Sequence, residues 1–269
     1  MFLIIHNGFN YRVIEDYIVS LSFNNFQIHI YDPNIDYISI ITNNSNTLFL
    51  FVNDTFSIPF TNQTNDYVLN VEQLTLPSNI NRIQNIPPQI PIIDYSYANI
   101  LLSPRKLLYL PYQYNPSEIR NIEKTDNVGF IGWLNERRIN TILKIPAATH
   151  DINGVGSERD HLLFAHKVLV NIHYDENYNV FEEIRCNRCI FNKMIVISEP
   201  SVHMEHYKLK KYTIECPLDE IPNMVKQVLD NYEEYHSKLF ADFDAEMEAH
   251  RKHFEECKYG IFQNMGVFK

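Results

Sequence analysis

The chain has 269 residues, 45% of them apolar and 21% charged, enough to bury a sizeable core and too apolar for global disorder. Asp and Glu number 33 against 23 Lys and Arg, a formal net charge of −10, which argues against a nucleic-acid binder held by a basic field.

The opening run Met1–Ile5 is apolar but short, has no basic leader and meets the polar His6-Asn7-Gly8 at once, so it predicts a strand and not a signal peptide. A helix over Tyr11–Leu21 follows. Further strands are predicted at Phe26–Tyr31, Tyr37–Thr42, Thr47–Val52 and Tyr67–Val71, separated by Asn, Ser, Asp and Pro clusters. The stretch Pro77–Pro91 carries four prolines and reads as a loop, with a last short strand at Leu108–Pro111 and a polar linker over Tyr114–Asn127. Val128–Ile131 then repeats the opening pattern: a buried strand ending in Gly132, followed by a helix over Glu136–Leu143. Helices at Arg159–His166 and Phe181–Phe191 alternate with strands at Val168–Ile172 and Met194–Ile197, a βαβ rhythm that calls for a parallel sheet. From Ile221 onward an i, i+3, i+4 apolar pattern predicts a helical tail, with Pro222 in its first turn.

The expected fold is therefore α/β: two Rossmann-like halves, each opening with its own first strand. The expected boundaries are residues 1–120, 121–235 and a helical tail over 236–269 that crosses back. No apolar run reaches bilayer-spanning length. Four cysteines make no disulfide framework and fit a reducing, cytoplasmic compartment. The three N-glycosylation patterns, at Asn43, Asn53 and Asn62, then read as chance in an Asn-rich chain.

In open α/β sheets, ligands bind beyond the carboxyl ends of the strands. Polar residues at those positions are His6, Glu72 and Asp94 in the first half, and Asn135, Arg137, Arg138, Asn171, His173, Ser198 and Glu199 in the second. Guanidinium forks suit phosphate oxygens, although paired surface arginines also arise with no ligand. Glu182 and Arg185 share a face of the helix whose start favours an anion, and Glu199 follows the next strand, where a carboxylate can accept ribose hydroxyls. An internal Glu182–Arg185 ion pair is the plainer alternative. Cys186-x-x-Cys189 with His203 and His206 has poor spacing for zinc, and no metal site is expected. The many tyrosines and phenylalanines read as composition bias more than as a base-stacking platform.

These residues resemble a known family. Lys167-Val168-Leu169-Val170-Asn171-Ile172-His173 is similar to the K-V-x-L-N-I-H stretch of GT-B-like, group-1-type glycosyltransferases of bacteria and large DNA viruses such as chloroviruses. Phe181–Arg185 with Val196–Glu199 resembles their E-x-x-R … V-x-S-E segment, with an interval of 17 residues between Glu182 and Glu199. Phe130–Arg138 resembles their F-x-G-x-x-N-x-R-R turn. Asn70–Gln73 and Asp94–Ser96 match weaker signatures. The usual glycine between the helix and the next strand is replaced by Asn192-Lys193, with Asn192 expected to tolerate the left-handed turn.

The resemblance implies two Rossmann-like domains facing across a cleft. A UDP- or GDP-linked sugar donor would be held by Gly132, Asn135, Arg137, Arg138, Asn171, His173, Glu182, Arg185, Ser198 and Glu199, and a glycan or other hydroxyl acceptor by the first domain. Without a well-placed Asp-x-Asp, transfer is expected to need no metal and no cofactor; an inverting enzyme would use Glu72 as base, with Asp94 and His6 as alternatives, and a retaining one needs no such base. A nucleotide-sugar epimerase and a non-catalytic binding module are the rival readings.

Overall fold

The structure, a computed structural model, describes residues 2–6, 8–21, 27–30, 32, 34–36, 39, 48–52, 66–145, 148–149 and 157–263. It divides into two compact units: unit 1 is Met1–Gln113 with His253–Lys269, and unit 2 is Tyr114–Lys252. Unit 1 contains strands β1 (Phe2–His6), β2 (Gln27–Ile30), β3 (Leu48–Val52), β4 (Asp66–Asn70), β5 (Ile92–Asp94) and β6 (Leu108–Tyr109) in one parallel sheet of order β2-β1-β3-β4-β5-β6. Helix α1 (Gly8–Ser20) buries Ile14, Tyr17 and Ile18, and Leu21 just beyond it, at the spacing of one helical face. The Tyr17 hydroxyl donates to the Leu110 carbonyl at 2.7 Å, and its ring meets Tyr95 edge-on at 5.8 Å. The expected strand over 37–42 lies outside the described residues, save Ser39, which is helical.

The proline-rich stretch corrects the sequence reading. Residues Pro77–Asn85 form helix α2, because Pro77 occupies the first turn, where its missing N–H costs nothing, and Ile83 turns into the core. Only the remainder is irregular, and there Arg105 donates to the carbonyls of Ile86 at 2.7 Å and Ile90 at 2.9 Å. Helix α3 (Tyr97–Leu102) follows β5.

Unit 2 contains β7 (Thr125–Gly129), β8 (Ala148–Thr149), β9 (His166–Asn171), β10 (Ile195–Ser198) and β11 (Thr213–Glu215), all parallel, in the order β11-β10-β9-β7-β8. Counted from its own first strand this is 2-1-3-4-5, the same order as the first five strands of unit 1 and one of the doubly wound orders. Val168, Leu169 and Val170 in β9 and Ile195, Val196 and Ile197 in β10 are fully buried, so both faces of the sheet are covered. Each such side chain contributes roughly 1.5–3 kcal/mol of burial. The helices are α4 (Glu136–Ile142), α5 (Ser157–Phe164), α6 (Glu183–Phe191), α7 (Ile221–Asp230), α8 (Tyr232–Leu239) and α9 (Phe243–Phe262). The tail predicted as one amphipathic run is thus three helices, interrupted at Asn231 (φ −127, ψ 34) and again after Phe240. Residues 243–252 of α9 count with unit 2 and the rest with unit 1. No described helix is long and apolar enough to cross a membrane.

The turn after α6 also departs from expectation. Lys193, not Asn192, takes the left-handed conformation, at φ 55. Asn192 is held by its side chain instead, donating to the Arg188 carbonyl at 2.9 Å and accepting from the Arg120 N–H at 2.8 Å.

Each unit also buries a charged group among several hydrogen-bond partners. In unit 2, Arg188 bridges Glu118 and Asp160, and Asp160 also accepts from Arg159. Burial alone would raise the Asp160 pKa, but the two arginines hold it below the ordinary range. In unit 1, Asp94 is completely buried at the end of β5. It accepts from Asn70 Nδ2 at 2.6 Å, from the Ser96 N–H at 2.8 Å and from Asn99 Nδ2 at 3.1 Å. Burial outweighs these bonds and pushes its carboxyl up to about 7. A raised folded-state pKa means that the folded protein holds this proton more tightly than the unfolded chain, so stability falls as pH rises from about 4 through about 7. Urea unfolding at pH 5 and pH 8 is expected to show Asp94→Asn gaining on the native chain as pH rises. A difference between the two proteins that does not change with pH would contradict it.

Candidate functional site

The order of the second sheet reverses between β7 and β9, which makes the tips of these two strands a topological switch point, the usual place for a ligand in such sheets. Three loops meet there: residues 130–135 after β7, 172–174 after β9 and 199–201 after β10. Asn135 ties the first two together. It caps α4 by accepting the Arg138 N–H at 3.0 Å, and its Nδ2 donates to the Tyr174 carbonyl at 2.7 Å.

Arg137 and Arg138 therefore sit in the first turn of α4, where the helix dipole disfavours cations. Other groups compensate. Arg137 grips Glu199 through both carboxylate oxygens, with its Nη1 at 2.6 Å from Oε1, and donates to the His173 carbonyl at 3.1 Å. Its pKa is raised, chiefly by the hydrogen bond to Glu199. Arg138 is 3% exposed. Its Nε donates to the Ile172 carbonyl at 2.9 Å and its Nη1 to the Trp133 carbonyl at 2.7 Å, while its guanidinium lies 5.6 Å from the Phe130 ring centroid and 5.4 Å from that of Tyr174. Arg185, from the first turn of α6, donates to Asn171 Oδ1 at 3.0 Å. Asn171 in turn donates to Ser198 Oγ at 3.0 Å, and Ser198 to the Glu199 carbonyl at 2.8 Å.

Arg138 and Arg185 converge on Gly132. A Cβ placed on that glycine, whose φ is +144, would stand 3.1 Å from Arg185 Nη2 and 3.2 Å from Arg138 Nη1. Neither arginine forms an ion pair among the described residues. Burial first, and Arg185 second, lower the Arg138 pKa to about 10; Glu182 pulls the other way. The side-chain-free backbone at 132 leaves the two guanidiniums facing the same point, an arrangement that a bound anion would relieve.

The structure thus brings together Gly132, Asn135, Arg137, Arg138, Asn171, His173, Arg185, Ser198 and Glu199, with Glu182 immediately before α6. Glu199 does not stand open: three of roughly four acceptor positions of a carboxylate are in use, two by Arg137 and one by the His173 N–H at 2.9 Å. His173 is buried, its pKa lowered by desolvation, and its Nε2 lies 3.2 Å from the Pro200 carbonyl. That contact makes Nε2 the donor and leaves Nδ1 as an acceptor with no partner among the described residues.

Glu72 and Asp94 belong to a separate group in unit 1. Asn70 Nδ2 donates to the Glu72 carbonyl at 2.9 Å, Asn99 Nδ2 donates to the same carbonyl at 3.0 Å, and the Glu72 side chain is half-buried. Asn99 was not legible as a site residue, since its only signal is a polar side chain on the buried face of a short helix. His6 ends β1, but its side chain lies outside the described residues. Cys186 and Cys189 are buried in α6; desolvation raises both thiols, that of Cys189 to about 12. No group of three or more His, Cys, Asp or Glu residues that could hold a metal occurs among the described residues.

Replacing Glu199 by Gln removes one partner of the Arg137 pair and leaves a half-buried guanidinium without its counter-ion. The expected cost is about 2 kcal/mol in urea unfolding, the scale of hydrogen bonds to a charged group; a change below roughly 0.5 kcal/mol would mean that the pair does not brace the site.

No family model matches the chain. The T4 phage BGT shares its fold: the structure in complex with UDP and Mn2+ aligns at a TM-score of 0.57 and 12% identity, and a mutant in complex with UDP-glucose at 0.56 and 13%, each over 99% of this chain and 100% of that one. Relatives come from Acanthamoeba polyphaga mimivirus. "Uncharacterized protein L140" is 31% identical over 254 residues, 86% of this chain and 80% of that protein. "Uncharacterized protein R358" is 31% identical over 209 residues, 73% of this chain and 74% of that protein. The chain belongs to the family of these two mimivirus proteins.

Proposed function

We propose that the protein is a glycosyltransferase that moves a sugar from a nucleoside-diphosphate donor to a hydroxyl acceptor. The observation that carries this reading is the pair of guanidiniums at Gly132, neither in an ion pair among the described residues, at the switch point of a parallel sheet. A diphosphate supplies the missing negative charge, and Gly132 lets it approach the backbone. The fold shared with T4 phage BGT, a glycosyltransferase whose structures hold UDP with Mn2+ or UDP-glucose, supports the same class of ligand.

In this reading the acceptor oxygen forms a bond to the anomeric carbon of the donor as the bond from that carbon to the diphosphate oxygen breaks. The leaving diphosphate gains charge, which Arg138 and Arg185 neutralise from positions set before the reaction begins. In this reading the positive charge that the chain itself supplies comes from arginine. The acceptor proton passes to Glu72. Asn70 and Asn99 hold the Glu72 backbone, and Asp94, itself sealed in the core, holds both asparagines. Asp94 is then a positioning residue for the base.

Arg185→Gln is expected to weaken UDP and GDP binding about ten-fold or more, the scale of one charge-assisted contact. Arg185 suits this test better than Arg138, whose guanidinium also holds two loop carbonyls. Unchanged calorimetric affinity for both nucleotides would overturn the anion-site reading. Glu72→Gln is expected to lower transfer at least a hundred-fold, within the range of general-base catalysis, and to leave nucleotide affinity unaltered. Near-normal turnover in that variant would remove Glu72 from the role.

A further inference from the structure

We propose that Trp133 is the platform on which the nucleobase of the donor stacks, an inference that rests on the donor reading above. Trp133 is 69% exposed and is the single tryptophan of the chain. An indole is a large apolar surface with a flat π face, and this one, on the residue next to Gly132, is mostly accessible. Its backbone, in contrast, is held at the carbonyl. Gly132 precedes it at φ +144, and its own carbonyl accepts from Arg138 Nη1 at 2.7 Å. Tyr174, 45% exposed, borders the same guanidinium, and its carbonyl is held by Asn135. Anchored loops present these rings ready for a ligand, so binding has little backbone freedom to remove.

A nucleoside diphosphate carries both chemistries these residues offer: an anion for Arg138 and Arg185, and a planar base for the adjoining indole. The base is the better occupant than the transferred sugar. Any base has a π face to lay on an aromatic ring, and such stacking typically changes affinity about five-fold to a hundred-fold when the ring is cut back to alanine. A sugar ring presents mainly hydroxyls and C–H edges.

Because Trp133 is alone, tryptophan fluorescence of the full chain reads this side chain and no other. The expected result is that UDP and GDP change the emission, while inorganic pyrophosphate binds by calorimetry without changing it. Trp133→Ala should weaken both nucleotides at least about five-fold and leave pyrophosphate within about two-fold, whereas Trp133→Phe retains most of the affinity. An equal emission change with pyrophosphate, or full nucleotide affinity in Trp133→Ala, would overturn the assignment. A loss confined to UDP-glucose, with UDP unaffected, would put the indole against the sugar and overturn it as well. Should the native chain bind pyrophosphate but neither nucleotide, the stacking proposal falls and the anion site stands; should it bind none of these, the donor reading falls and takes the proposal with it.

Discussion

Two like charges crowded at one backbone position are the constraint around which unit 2 is arranged. Coulomb repulsion between guanidiniums is weak in water but grows as solvent is withdrawn, and Arg138 is almost wholly withdrawn. The fold accepts this by giving each guanidinium neutral acceptors in place of a counter-ion: the Ile172 and Trp133 carbonyls for Arg138, the Asn171 amide for Arg185. Carbonyl oxygens satisfy the N–H groups without cancelling the charge. The third arginine, Arg137, is treated in the opposite way and is neutralised by Glu199. Adjacent residues of identical type thus do different work, one closing a brace between loops and the other keeping its field available.

The same logic explains why so many side chains at this corner bond to backbone. Beyond Glu199, whose N–H still donates to the Asn171 carbonyl, the loops after β7, β9 and β10 leave the strand ladder. Asn135, Arg137, Arg138 and Ser198 replace the missing ladder with contacts to the carbonyls of Tyr174, His173, Ile172 and Glu199. A shift of any one loop would disturb the others, which suits a site that must hold charge in a set geometry.

Much of this was legible in the sequence, for identifiable reasons. Strands buried on both faces write continuous apolar runs, so β9 and β10 were visible to within two residues. Gly132 stood out because glycine is scarce, and residues just past a strand tip could be named without coordinates. The pairing among them was hidden: nothing in the sequence distinguishes Arg137 from Arg138, and Glu199 was read as open to ribose when Arg137 and the His173 N–H occupy most of it. The helix at Pro77–Asn85 was masked by Pro77 in its first turn and by the three prolines beyond its end, since the breaking effect of proline depends on its position. The role of Asn99 was out of reach, since it depends on which strand the short helix after β5 packs against.

The turn that closes α6 bears on how proteins of this kind are found. A left-handed residue with a side chain is disfavoured by about 1 kcal/mol relative to glycine, yet position 193 holds lysine at φ 55. The Lys193 ammonium lies 4.9 Å from the Phe243 ring centroid, a cation–π contact of comparable size that glycine could not make. A helix from the far end of the chain therefore compensates a local backbone cost. Any motif that demands glycine at that spot will pass over such sequences, however faithfully they keep the three-dimensional turn.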